Sequence, residues 1–157
     1  KRTMSKSFLG QPNLSRGLRN NNPGNLIRTS IQWQGKIPHS QNPDSRFEQF
    51  IDVHWGIRAI MLDLINDYKK GKTSVKLLIK EYAPSFENNT QAYINTVVGI
   101  VGKNYIEVLD KKTLIDLSKA IHYVENGSPY YHHLTTQDFE IAFNRLPNFT
   151  SIKKKAI

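Results

Sequence analysis

Cysteine is absent from all 157 residues, so neither disulfides nor thiolate-bound metals can hold this chain together, and its stability has to come from packing. Long apolar runs are absent too. With 38% hydrophobic residues and a mean hydropathy of -0.51, no stretch approaches the ~18 consecutive apolar residues that a membrane-spanning helix needs. The opening segment, residues 1–8, is basic and polar with no apolar centre, and no secretory signal is expected in it. Acidic residues are scarce: 13 stand against 22 lysines and arginines, giving a net charge of +9. That surplus draws the chain toward anionic partners, whether nucleic acid, an acidic membrane surface or an anionic cell wall, without choosing among them. No RNP-like, zinc-finger or helix-turn-helix pattern accompanies the charge, so nucleic acid is not the expected partner. Lys1, Arg2, Lys153, Lys154 and Lys155 sit at the two ends, where such runs read as solvated tails.

The length suits one domain with a single core. Residues 1–15 show no periodicity and read as a mobile arm, residues 16–148 as one domain, and residues 149–157 as a basic tail. Residues 16–28 are too rich in Gly, Pro and Asn for a helix or a central strand and read as a structured loop. Short segments at 31–33 and 46–50, separated by Pro38, Asn42 and Pro43, predict a small irregular β-hairpin. Ile57, Ile60, Met61, Leu64, Ile65 and Tyr68 then follow helical spacing, with Asp52 as N-cap and Gly71 beyond the end. A shorter helix is expected over 74–82, stopping before Pro84. A third, capped by Thr90, carries Tyr93, Ile94, Val97 and Val101 and ends at Gly102. A fourth starts at Asp110 or Thr113 and ends at Glu125, and a fifth covers 136–145. The expected class is α+β, mostly α-helical with a small β-hairpin lobe, and sites in such folds tend to lie between the lobes.

Glu125 is the leading catalytic candidate. It closes the helix that carries Leu114, Leu117, Ile121 and Val124 and is followed at once by Asn126-Gly127. A carboxylate at the exit of a buried helix sits partly in low dielectric, which raises its pKa toward the range useful to a general acid. The competing reading is a solvated last-turn residue beside a glycine C-cap.

Asn20-Asn21-Asn22-Pro23-Gly24-Asn25-Leu26-Ile27-Arg28, then Trp33-Gln34-Gly35, then Arg46-Phe47-Glu48-Gln49-Phe50 resembles the middle of peptidoglycan glycosidases of the lysozyme-like superfamily. The closest likeness is to the glucosaminidase and lytic transglycosylase branches. Tyr82-Ala83-Pro84, with Glu87, Asn88 and Tyr93 following, is similar to a Tyr-Ala-Thr-Asp-Pro-x-Tyr segment of those glucosaminidases. The opening Arg-Gly-Leu-Arg-Asn-Asn-Asn-Pro-Gly-Asn is also similar to a family of phage virion proteins thought to degrade cell wall. In the glycosidases a helix ending in Glu-Ser-Gly precedes the Asn-Gly loop and supplies the acid, whereas residues 1–19 here hold no acidic residue. The helix ending Glu125-Asn126-Gly127 resembles that missing piece, as if circularly permuted to the far side of the domain, a change that is tolerated when termini lie close together.

The resemblance implies a lysozyme-like fold and cleavage of the β-1,4 bonds between N-acetylmuramic acid and N-acetylglucosamine, by hydrolysis or transglycosylation, in phage-associated lysis or entry. It places the protein in the virion or at the host periplasm and wall, with glycan strands and other virion proteins as partners. No cofactor or metal is implied, since His122, His132 and His133 lack a recognised ligand spacing. Glu125 would be the acid, with Glu48 ahead of Asp44 and Glu87 as a second carboxylate. Asn20, Asn22, Asn25, Arg28, Trp33, Tyr82, Asn88 and Tyr93 would bind sugar. Each has an ordinary alternative: Asn in a Gly/Pro loop often serves the backbone, and Trp33 or Tyr93 equally fits a core position. The rival functional readings are a catalytically inactive wall-binding or virion structural protein and, third, a basic nucleic-acid binder.

Overall fold

In a computed structural model, which describes residues 5–83 and 89–155, one long helix sets the frame. Asp52 accepts a hydrogen bond from the Trp55 amide and starts α2, Val53–Lys69, whose buried face presents Ile57, Ile60, Met61, Leu64, Ile65 and Tyr68. Helices α3 (Val75–Tyr82), α5 (Lys111–Asn126) and α7 (Thr136–Asn144) pack against it, and α4 (Thr90–Val101) packs on α3 and α5. A one-turn α1 (Arg16–Arg19) and a short α6 (Ser128–Tyr131) complete the helical set. Strands β1 (Val108–Leu109) and β2 (Ile152–Lys153) pair antiparallel, Val108 opposite Lys153 and Leu109 opposite Ile152. The class is α+β, with about half of the chain helical. No helix among the described residues is long and apolar enough to cross a membrane.

The core is continuous: Leu18, Ile60, Leu64, Leu78, Val97, Leu114 and Leu117 are all fully buried in one cluster. Each such side chain contributes about 1.5–3 kcal/mol relative to its exposed state. Helix starts follow the expected chemistry, with Ser74, Asn89 and Asp110 each accepting from an amide three residues on. Asn89 rather than Thr90 caps α4, since its side chain reaches the Ala92 amide at 3.0 Å.

Several expectations need correction. Residues 16–28 are not all loop, because Ser15 caps the single turn of α1 by accepting from the Leu18 amide. The expected hairpin at 31–50 is reduced to isolated bridges, Ile27 with Phe47 and Lys36 with Phe50. Side chains replace the missing ladder there: Asn42 donates to the Phe47 carbonyl and Asn22 to the Glu48 carbonyl. The sheet that does form, β1 with β2, uses segments the pattern did not single out. From Ser5 onward, the stretch expected as an arm lies on the domain. The Val53 amide donates to the Lys6 carbonyl, and the Lys6 ammonium reaches Asp138 at 2.8 Å. Asp138 also holds the buried His54 at 2.9 Å, so one carboxylate ties the chain start, α2 and α7 together.

Candidate functional site

The Asn-rich loop owes its shape to two residues in left-handed backbone, Asn21 (φ 53) and Asn25 (φ 50). Asparagine occupies that region more readily than other side chains with a Cβ. Asn21 is fully buried and spends both ends of its amide inside, accepting from the Phe8 amide and donating to the Phe50 carbonyl. The loop then crosses the C-terminal end of α5, where the Asn126 side-chain amide donates to the Pro23 carbonyl at 2.8 Å. Ser15 donates to the other end of the same Asn126 amide at 2.7 Å. His122 cannot act as a metal ligand in this arrangement, since one ring nitrogen meets Asn126 and the other the Tyr131 carbonyl. Burial lowers its pKa to about 4, so it stays neutral.

This junction puts Glu125 next to Asn25. The Asn25 amide donates to one carboxylate oxygen and the Tyr93 hydroxyl, from α4, donates to the other, both at 2.9 Å. Burial pushes the Glu125 pKa up, and the two donors, which favour the ionised form, hold it back in part. Its place in the last turn of α5, at the negative end of the helix dipole, acts in the same direction as burial. The tyrosines beside it respond in turn. Tyr93 and Tyr82 are both raised well above the usual phenol range, first by burial and then by the Glu125 charge. Among the described residues, the far oxygen of the Asn25 amide is buried without a partner. Asn25 therefore combines a left-handed backbone with an unsatisfied acceptor, two unfavourable features, while directing one N–H at the carboxylate.

Glu125, Asn25 and Tyr93 share a groove of about 720 Å³ with Trp33, Tyr82 and Asp63. Ile27 and Ile31, both about half exposed, form an apolar lip along it. Tyr82 holds the loop by donating to the Gly24 carbonyl at 2.7 Å while still lining the groove. Phe47 lies between the guanidinium groups of Arg16 and Arg46, at 4.5 and 5.2 Å from its ring centre, and closes another part of the wall.

Other expected site residues lie elsewhere. Glu48 is fully buried and does not line the groove; it meets Lys36 at 3.0 Å, His39 at 2.9 Å and the Thr29 amide at 3.0 Å. The resemblance implies Glu48 as a second carboxylate of the site, but this acid instead anchors the irregular lobe. Asn20 is held by Asp44 and Gln49, and Asn22 by Leu26 and Glu48, and neither lines the groove. Arg28 donates to the Asp44 carbonyl at 2.7 Å, away from the groove. Asp44 is held well below the usual carboxylate range, chiefly by the Arg16 guanidinium. Asn88 and Glu87 fall outside the described residues. Among the described residues no group of three His, Asp or Glu is arranged to hold a metal ion.

Asp63, like Glu81, is a groove carboxylate that sequence reasoning missed. It stands one turn beyond Ile60, the residue that lies under Gly24, but helical spacing alone cannot reveal which loop a helix face meets. Burial, with Asp67 and Glu81 nearby, raises its pKa to about 6. A carboxyl that holds its proton more tightly folded than unfolded loses stability for the fold as pH rises from about 4 through 6. Asp63→Asn is therefore expected to raise the melting temperature at pH 7 and to leave it unchanged below pH 4, a comparison that thermal unfolding at the two pH values makes directly.

No protein-family model matches the chain. The chain is similar to protein P5 of Pseudoalteromonas phage PM2, with 36% identity over 135 residues that cover 82% of each chain.

Proposed function

The chain belongs to the family of protein P5 of Pseudoalteromonas phage PM2, and from its groove we propose that it is a phage-associated enzyme that cleaves the glycan strands of peptidoglycan. The single observation that carries this reading is the half-buried Glu125 carboxyl, raised in pKa and gripped by Asn25 and Tyr93 inside an open groove. The groove's volume lies within the ~300–1,000 Å³ range of ligand-binding clefts, and Trp33 and Tyr82 offer ring faces for sugars. The fold is read as lysozyme-like with its acid-bearing helix placed after the Asn-rich loop instead of before it.

Protonated Glu125 gives its proton to the glycosidic oxygen as the C1–O bond breaks. The carboxylate left behind faces the positive charge that develops on the sugar ring. It then takes the proton from the hydroxyl that attacks C1 and returns to its starting state. If the attacking group is the 6-hydroxyl of the muramoyl residue itself, an anhydro end forms and one carboxylate is enough. If it is water, the groove offers Asp63 and Glu81 as further carboxylates. The reaction acts on wall glycan, which puts the protein in the virion or at the host periplasm and wall, alongside other virion proteins.

Mass spectrometry of muropeptides after digestion of purified peptidoglycan tests the reading, since new reducing or anhydro ends report cleavage and name the linkage cut. Tyr93→Phe supplies a finer test. Losing a donor to the ionised carboxylate raises the Glu125 pKa further, so the alkaline limb of the pH–rate profile is expected to move to higher pH. A catalytically inactive wall-binding module is the second reading, favoured by the fact that both Glu125 oxygens already have donors. Capture on insoluble peptidoglycan without release of fragments would select it.

A further inference from the structure

The charges of the Glu125 groove are segregated by element. Besides Glu125, its carboxylates come from the helices, Asp63 from α2 and Glu81 from α3, whereas among the described residues its cation is Arg46 of the irregular lobe. Arg46 is fixed at its backbone: its amide donates to Asp44 and its carbonyl accepts from the Arg28 amide, both at 2.9 Å. Its guanidinium lies over the Phe47 ring, 5.2 Å from the centre, and among the described residues it has no ion pair or hydrogen bond. Both acids of residues 20–51 are already taken, Asp44 by Arg16 and Glu48 by Lys36. Beside this cation stands an apolar lip that cannot collapse. Ile27 pairs with Phe47, and the Lys36 ammonium, anchored on Glu48, donates to the Thr29 and Ile31 carbonyls at 2.9 and 2.8 Å. The backbone therefore holds Ile27 and Ile31 in water at 56% and 48% exposure, a cost that an apolar ligand group relieves.

We infer that Arg46, Ile27 and Ile31 form a subsite for the stem peptide of the muramoyl residue, with peptide methyl groups on the isoleucines and a peptide carboxylate on the guanidinium. The inference rests on the reading of the groove as a glycan site. Sugar rings of the wall are neutral, so segregated charge has nothing to select in them. The stem peptide starts with an alanine and carries free carboxylates, which matches a small apolar contact next to a cation. Such a carboxylate is repelled by Asp63 and Glu81 on the helical side and drawn to the lobe. Arginine meets it with two parallel N–H donors, a geometry that lysine does not offer. Arg46 is thus a specificity-determining residue and takes no part in bond cleavage.

Calorimetric titration of the full chain carrying Glu125→Gln tests the inference, because this variant keeps the groove and leaves the strands intact. The probes are soluble peptidoglycan strands with their stem peptides and the same strands stripped by an amidase, which retain a carboxylate on each lactyl group. Peptide-bearing strands are expected to bind about tenfold more tightly. Arg46→Ala in the same background should bring that preference below about threefold, whereas Lys112→Ala, an equal loss of charge outside the groove, leaves it in place. Ile31→Ser, at an exposed position, should also lower the preference and reads the subsite by itself should Arg46→Ala unfold. Equal affinity for the two strand types, binding of neither, or equal losses in Arg46→Ala and Lys112→Ala would each overturn the subsite. Cleavage by the wild-type chain is read separately from its muropeptide products, so a failed subsite leaves the glycosidase reading standing, and absent cleavage leaves the subsite to its own binding result.

Discussion

Glu125→Gln is expected to lower the release of soluble fragments from purified peptidoglycan by about a hundredfold to ten-thousandfold, the contribution of a positioned general acid, while the melting temperature moves by only a few degrees. The small structural effect follows from the geometry of the two donors. A glutamine keeps one carbonyl oxygen for the Asn25 amide, and the Tyr93 hydroxyl, which can donate or accept, turns to accept from the new NH₂ group. The substitution also removes a charge that burial penalises, offsetting part of what the weaker hydrogen bonds lose. Activity that survives Glu125→Gln would remove this residue from the chemistry. Activity lost together with the folded state would be uninformative about the acid, so the unfolding curve belongs in the same experiment.

Gly56→Ala is expected to have the largest effect on stability of any single methyl group added here. A Cβ at Gly56 would collide with the backbone carbonyl of Asn21, and neither partner can move freely. Gly56 sits in the first turn of α2, and Asn21 is locked by its own side chain to Phe8 and Phe50. Overpacking of this kind costs about 1–3 kcal/mol and more where backbone has to yield. For a chain of this size, each kcal/mol corresponds to roughly 2–4 °C in melting temperature. Gly99, in the interior of α4 with nothing within 4 Å of an added Cβ, is the matched control. There alanine is expected to stabilise by about 0.5–1 kcal/mol. Parallel thermal unfolding of the two variants should move in opposite directions; a shared sign would mean that the contact between the Asn-rich loop and α2 is looser than described.

The helices were legible because apolar spacing and N-caps are local. Asp52, Ser74 and Asp110 begin α2, α3 and α5 as their sequence contexts indicate. The irregular lobe was not, because its stability comes from side-chain to backbone bonds between distant residues. Glu48 shows the difficulty: its alternation with Phe47 is a local signal, whereas its burial against Lys36 and His39 is decided by how the loop folds back. Asn20 and Asn22 resemble sugar-binding amides by type and serve the scaffold by position. Asn25, in the same stretch, meets Glu125 because α5 ends beside it, which no spacing within the loop encodes. The pairing of β1 with β2 was hidden for another reason. Two-residue strands carry too little alternation to detect, and the lysines around them mimic a solvated end.

The two halves of the Glu125 groove are written far apart in the chain, Asn25 lying 100 positions before its carboxylate partner. During synthesis the ribosome therefore exposes the amide-rich loop long before the helix that bears the acid can dock against it. Closing so wide a loop comes late and slowly in folding. On the proposed reading, a copy that stops before residue 125 keeps the amide-rich loop and lacks the carboxylate it is built to meet.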